Sequence, residues 1–293
     1  MKIAGFTFIK NAIKNDYSIV EAINSILPIC DEFIVAVGKS DDQTLQLVQN
    51  IKSDKIKIIE TIWNEKLRAG GTVFALETDK ALQHISPDAD WIFYIQGDEC
   101  VHEKYLETIK NEMQQCLNNK NVEGLLFNYK HFYGSYDFYA HSRRWYRREI
   151  RVLKNLPGIH SYKDAQGFRK NNEKIKVKLI DAFIYHYGWV KPPTGLTSKV
   201  RNFNTFYNDD DQWINENYPP QSDFEYGNAD KLVKFTETHP KVFQERVNKS
   251  NWKFDFDPTL LSKKMPFRRK FLAFFEKITG IRLFEYKNYI IVK

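Results

Sequence analysis

Gly97-Asp98-Glu99 sets two adjacent carboxylates directly behind an apolar run, DWIFYIQ, that reads as a strand buried on both faces. Carboxylates at a strand's end suit a hard divalent cation such as Mg²⁺, which takes oxygen ligands, commonly one or two carboxylates plus a substrate's phosphates. The same residue types also make ordinary turns, and Asp98 is placed to cap a helix starting near His102. A second polar cluster, GKSDDQT over residues 38–44, again follows an apolar run. Asp41 or Asp42 there either begins the next helix as an N-cap or reaches a ligand beside the same rim. Arg143, Arg144, Arg147 and Arg148 surround Trp145 and Tyr146. Such a cluster can clamp diphosphate oxygens in bidentate fashion, but it is more commonly a solvated face packed on its aromatic neighbours.

These clusters need a scaffold, and hydrophobic periodicity supplies one. Ile3–Ile9 and residues 33–37, 56–62 and 91–95 are continuous apolar runs that read as buried strands. Between them lie helical spacings: Ile19, Ala22, Ile23 and Ile26 before Pro28, then Leu45, Val48 and Ile51, then residues 72–84. Alternating β and α elements with doubly apolar strands predict an α/β fold, a mostly parallel sheet flanked by helices. Ligands of such sheets bind outside the carboxyl ends of the strands, where both polar clusters fall. A helix over 102–117 and a strand over 124–132 follow. Beyond them stronger alternation predicts antiparallel additions, with 182–187 the last clear strand. Helices and loops are expected from 194 onward, with a polar stretch over 208–223. The expected organisation is one α/β domain over 1–190 and a helical C-terminal extension over 191–293 packed on it.

Taken in order, Lys10-Asn11 after the first strand, Cys30-Asp31-Glu32-Phe33-Ile34-Val35 entering the second, GKSDDQT, Arg68-Ala69-Gly70-Gly71 and DWIFYIQGDE resemble the family 2 glycosyltransferases of GT-A fold. The likeness runs over residues 1–190 and is densest before residue 100. It implies a Rossmann-like GT-A sheet, a nucleotide-sugar donor, a Mn²⁺ or Mg²⁺ ion, and inverting transfer to a glycan or lipid-linked acceptor in cell-surface polysaccharide synthesis. On this likeness Asp98 carries the metal and His186, in IYHYGW, matches the late histidine that completes its coordination; by itself, a histidine among aromatics is a core or capping residue. Lys10, Asn11, Asp41 or Asp42, Arg68, Gln96 and Gly97 would line the donor site, with Arg68 near the diphosphate. One position departs from the pattern. Gln96 stands where the family's first Asp of Asp-x-Asp is expected, and an amide carbonyl is a weaker metal ligand than a carboxylate. Arg151-Val152-Leu153-Lys154 and residues 158–168 are similar to a family segment followed by a His-Glu pair, which is replaced in this chain. An inverting transfer needs a base for the acceptor hydroxyl. By order Asp164 is the candidate and His160 the next.

A net charge of +7 favours anionic partners. Nucleic acid is not expected among them, because acidic residues are interleaved throughout and no helix-turn-helix or zinc-finger spacing occurs. Cys30, Cys100 and Cys116 form no CxxC pair, which fits a reducing cytoplasm. The opening MKIAGFTFIKN reads as a strand and not a signal peptide, and no apolar run approaches the ~18 residues of a membrane span. Phe267, Phe271, Phe274, Phe275 and Ile278 recur at helical spacing among Arg268, Arg269, Lys270 and Lys277. Residues 265–278 therefore form either a helix packed on the domain or a basic amphipathic helix on the inner face of a membrane. Two other functions stay open. A nucleotidyltransferase would share sheet and metal, although FTFIKNAIKND lacks the glycine-rich basic loop expected after its first strand. A non-catalytic nucleotide-binding or membrane-surface module is the other.

Overall fold

A computed structural model describes residues 1–64, 66–67, 70–208, 210–220, 222–224, 226, 231–252, 254 and 266–292. Its first part alternates as expected: β1 (Ile3–Ile9), α1 (Ile19–Ile26), β2 (Glu32–Gly38), α2 (Thr44–Gln49), β3 (Ile56–Thr61), α3 (Thr72–Leu82) and β4 (Trp91–Tyr94). The four strands are parallel in the order β3-β2-β1-β4. Their doubly apolar character has a direct cause. Ile3 and Ile9 of β1, with Phe33, Val35, Trp91 and Phe93, pack on one face beneath α1, α2 and the later α4 (Leu106–Cys116). Ala4, Phe6, Ile34, Ala36, Ile92 and Tyr94 alternate onto the other face, beneath α3 and Phe168. Strand pleat alone divides each run between two cores.

The antiparallel additions begin where the chain turns at Gly97. A short β5 (Glu99–Val101) follows, then β6 (Gly124–Tyr133), β7 (Ser135–Ala140) and β8 (Arg148–Lys154), with β8 antiparallel to both β4 and β6. A separate three-stranded sheet, β9 (Ile159–Tyr162), β10 (Gly167–Lys170) and β11 (Glu173–Lys174), covers the α3 side. The long β12 (Lys176–Trp189) then pairs antiparallel with β5 and parallel with β6. This is the α/β class read from the sequence, a mostly parallel half with antiparallel additions.

The segment after residue 190 departs from the helical extension expected. It carries α5 (Pro193–Asn204), α6 (Asp211–Asn217), α7 (Gln244–Asn248) and α8 (Phe267–Thr279), but also β13 (Leu232–Lys234), antiparallel to β7, and β14 (Ile290–Ile291), parallel to β12. Residues 182–187 are therefore not the last strand. Both late strands are only two or three residues long, too short for a periodic signal. Among the described residues no helix is long and apolar enough to cross a membrane.

Candidate active site

The strand order β2-β1-β4 makes β1 a switch point: one connection runs outward to β2 and the chain later returns to β4 on the other side. A crevice opens at the carboxyl ends of such strands. It is a cleft of about 400 Å³ lined by Lys10, Asn11, Asp41, Gln96, Gly97, Asp98 and Asp164, among others. Seven of the residues read from the sequence thus meet around one volume.

Asn11 and Asp41 lock the two loops after β1 and β2 together. Asn11 Oδ1 accepts from the Asp41 N–H at 2.8 Å, and Asn11 Nδ2 donates to Asp41 Oδ2 at 3.3 Å. Asn11 sits at φ 52°, a left-handed conformation that asparagine tolerates better than most residues. Asp42 is turned to a different task. It accepts from the N–H groups of Lys14 and Thr44 and from the Thr44 hydroxyl, so it braces the start of α2 and does not line the cleft. Burial opposes its charge, but these hydrogen bonds prevail and hold its carboxyl below the usual range.

The Gln96–Glu99 turn separates two acids that adjoin in sequence. Glu99 points inward and is wholly buried, in a bidentate pair with Arg151 at 2.8 and 2.7 Å and with a hydrogen bond from the Tyr129 hydroxyl at 2.8 Å. Its Oε2 also accepts from the Gln96 N–H, which fixes the turn. Glu99 is therefore no rim ligand; Asp98 alone faces outward. Arg151 reaches further, donating to Gln166 O at 3.0 Å, and Gln96 Nε2 donates to Ala165 O at 3.2 Å. Both contacts tie the turn to the loop that carries Asp164. That loop is bent by left-handed residues at Lys163 and Ala165. The Tyr207 hydroxyl donates to Asp164 Oδ2 at 2.9 Å.

His186 lies 3.7 Å from Asp98, Nε2 to Oδ1. Its tautomer follows from a neighbour the sequence did not single out. His131 Nε2 lies 2.7 Å from Tyr146 O, an acceptor only, so that nitrogen carries the proton. Burial depresses the pKa of both imidazoles, His131 further than His186, and keeps them neutral. His131 Nδ1 is then an acceptor, and His186 Nδ1, 3.3 Å away, donates to it. The lone pair of His186 Nε2 is left facing Asp98. A ring nitrogen held in this way is the arrangement that orients metal-binding histidines. The two side chains fit as ligands to one ion, although among the described residues no group of three or more His, Cys, Asp or Glu could hold a metal.

Lys199 occupies the other side of the carboxylate. Its Nζ is 2.8 Å from Asp98 Oδ2 and 2.8 Å from Gly188 O. Burial works against the Asp98 charge, yet Lys199, with His186 and Lys191 behind it, pulls the carboxyl far below its usual range. Lys191 is itself buried; the loss of solvent and the Lys199 charge push it down to about 7. Sequence reasoning passed over both lysines, because they stand in a stretch read only as helix and loop.

The C-terminal part closes the cleft. Asn202, Phe203, Thr205 and Phe206 line it opposite Lys10 and Asn11. Asn202 Nδ2 donates to Asn15 Oδ1 at 2.6 Å, and Phe206 O accepts from the Gly71 N–H. Trp63, Phe74, Phe203 and Phe206 pack ring on ring into an aromatic wall. The Trp63 indole N–H has no acceptor among the described residues.

The general-base alternate from the sequence reading lies elsewhere. His160 is on β9, with Nδ1 on Gly158 O, and does not line the cleft. Arg68 falls outside the described residues. In the arginine cluster Arg144 is exposed, while the other three members are half-buried and engaged by partners within the fold. Arg143 pairs with Glu276, Arg147 with Glu285, and Arg148 with Asn128. The carboxylates that pair with Arg143 and Arg147 are more than a hundred residues away in the chain, beyond the reach of local reading.

No protein-family model matches the chain, and no curated protein matches it. Among solved structures it resembles S. aureus TarS 1–349, at 13% identity over 74% of this chain and 69% of that one, with a TM-score of 0.39. The same protein in complex with UDP matches at 12% identity, over 74% and 69%, with a TM-score of 0.40. Glucosyl-3-phosphoglycerate synthase from Mycobacterium tuberculosis, in complex with Mn²⁺, UDP and phosphoglyceric acid, matches at 19% identity over 45% of this chain and 43% of that one, with a TM-score of 0.30.

Proposed function

We propose that this chain is an inverting, metal-assisted glycosyltransferase of the family 2, GT-A type, moving a sugar from a nucleotide-sugar donor to a hydroxyl of a glycan or lipid-linked acceptor. One observation carries the reading: Lys10, Asn11, Asp41, Gln96, Gly97, Asp98 and Asp164, taken from the family likeness, line a single cleft. A nucleoside diphosphate sugar needs a flat apolar surface, cations for its phosphates and a carboxylate beyond the anomeric carbon. The aromatic wall at Trp63 and Phe206 suits the base, and Asp41 is within the cleft for the ribose or base. Lys10, Lys14 and Lys199 supply positive charge, and Asp164 is the carboxylate. Asp98 and His186 would hold Mn²⁺ or Mg²⁺, with diphosphate oxygens as further ligands. Such an ion, when bound, stabilises the charge of the departing nucleoside diphosphate as a Lewis acid.

In the transfer, Asp164 takes the proton of the acceptor hydroxyl as that oxygen attacks the anomeric carbon. The bond from that carbon to the diphosphate oxygen breaks, and its electron pair leaves with the nucleoside diphosphate. Tyr207, donating to Asp164 Oδ2, orients the base and leaves Oδ1 for the acceptor.

A thermal-shift panel of nucleotide sugars with Mn²⁺ tests the reading, since a donor that binds only the folded state raises Tm. The expected result is a donor-specific shift that Asp98→Ala removes, with slow release of nucleoside diphosphate. Pyrophosphate release would instead indicate a nucleotidyltransferase. Binding without turnover would indicate a non-catalytic module.

A further inference from the structure

α8 is attached to the molecule by the face that carries Glu276. Glu276 accepts from Arg143 at 2.6 Å and from Arg282 at 2.8 Å, and Leu272, Ala273 and Phe275 are half-buried around it. The opposite face carries Phe267, Phe271, Phe274 and Ile278, spaced i, i+4, i+7 and i+11, and these are 85%, 55%, 62% and 67% exposed. The stripe continues past the helix through Ile281 and Phe284. Phe284 is 84% exposed and adopts φ 59°, a conformation in which a bulky aromatic is an outlier. An ordinary surface helix buries its main apolar stripe; this one leaves that stripe exposed. The sequence left two readings for the segment; the helix is packed on the domain through Glu276, and its outward stripe is the feature that the second reading needs.

Exposed Arg268, Lys270 and Lys277 flank the stripe. An apolar face bordered by cations matches an anionic bilayer, whose acyl boundary takes the rings and whose headgroups take the charges. A helix of 13 residues is too short to span a bilayer, so it would lie in the interfacial plane. Its position relative to the cleft is defined. Arg282 donates to Trp145 O at 2.9 Å, and the next residue, Tyr146, holds His131, which in turn orients His186.

We infer that α8 and the turn after it are an interfacial anchor that seats this end of the molecule on an anionic membrane, one loop away from the His131–His186 pair. The inference does not depend on the transferase reading. It deepens that reading only in favouring an acceptor presented at a membrane surface.

Co-sedimentation of the full chain with phosphatidylcholine vesicles and with phosphatidylglycerol-rich vesicles tests it. The expected result is binding to the anionic vesicles only, weakened by salt. Lys270→Glu/Lys277→Glu should weaken it by about fivefold or more per charge. Phe271→Asp/Phe274→Asp should abolish it while leaving the donor-induced Tm shift unchanged. Absence of binding to anionic vesicles overturns the inference, as does binding that survives the Phe271/Phe274 change. A large drop in Tm of the unliganded Phe271/Phe274 variant would show that the chain itself covers the stripe. Loss of a concentration-dependent dimer in that variant would show that a second copy does. Either outcome also overturns the anchor.

Discussion

Gln96 shows how one side chain can differ, for a positional reason, from the pattern that the sequence otherwise resembles. Its Nε2 is a donor aimed at Ala165 O, in the loop that carries Asp164. A carboxylate cannot donate and would face that carbonyl oxygen with like partial charge. Restoring the acid with Gln96→Glu should therefore lower turnover roughly tenfold or more, in line with the ~1–3 kcal/mol lost when a hydrogen-bonded partner is removed. Because that loop carries the proposed base, Asp164, kcat should fall more than donor affinity does. Single-turnover rates and donor titrations separate the two, and increased turnover would show that Gln96 merely replaces a lost ligand. His131 makes the complementary case. It does not line the cleft, yet it sets the tautomer of His186. His131→Phe should weaken Mn²⁺-dependent donor binding by ~10–100-fold, the usual effect of removing an orienting partner. Donor affinity measured across a Mn²⁺ titration checks this, and an unchanged Mn²⁺ dependence would return both histidines to a packing role.

At the scale of elements, the approach of β12 to the Gln96–Glu99 turn depends on Gly188. A Cβ there would stand 2.6 Å from Asp98 Oδ2 and 2.8 Å from both His186 Cε1 and Lys199 Nζ. Gly188→Ala should cost ~1–3 kcal/mol of overpacking and displace groups on both sides of Asp98. Donor affinity should consequently fall more than fold stability does; a variant with wild-type donor affinity would show that these side chains give way freely. The parallel half, including the rim where Asp41 and Asp98 stand, was legible because each strand's pleat writes an apolar run and each helix a spaced stripe. Glu99 was not legible as a core residue. Its partner Arg151 is 52 residues later, and only the folded sheet brings them together. The His131–His186 pairing was hidden for a related reason: β6 and β12 run parallel in a register with irregularities on both sides of Phe183–His186. Lys199 lay in a helix whose polar residues could have been solvated.

The molecule as a whole is held at its far end by the last residues of the chain. β14 pairs alongside β12, Tyr289 is buried in the core on the α3 side, and Asn288 O accepts from the buried Arg169 at 3.1 Å. Glu149 of β8 lies in this seam. Burial pushes its carboxyl up to about 8 despite the nearby Arg151 charge, and Gln166 Nε2 donates to its Oε1 at 3.3 Å. Glu149 Oε2 and Asn288 Oδ1 are both buried without a partner among the described residues. A proton on Glu149 turns one of these acceptors into a donor. The sign of the pH dependence follows. An unfolded glutamate near 4.5 gives up its proton earlier than the folded one at about 8. Between those values the native state binds more protons than the unfolded state, so stability falls as pH rises. The contribution is complete below pH 4.5 and gone above about 8, and it amounts to a few kcal/mol in order of magnitude. Glu149→Gln keeps the shape and removes the titration, so it should flatten the decline across this window. Urea unfolding of both proteins at several pH values measures it. Parallel declines in the two proteins would mean that Glu149 is already ionised in the fold and that the seam is held by Arg169 and the β12–β14 pairing alone.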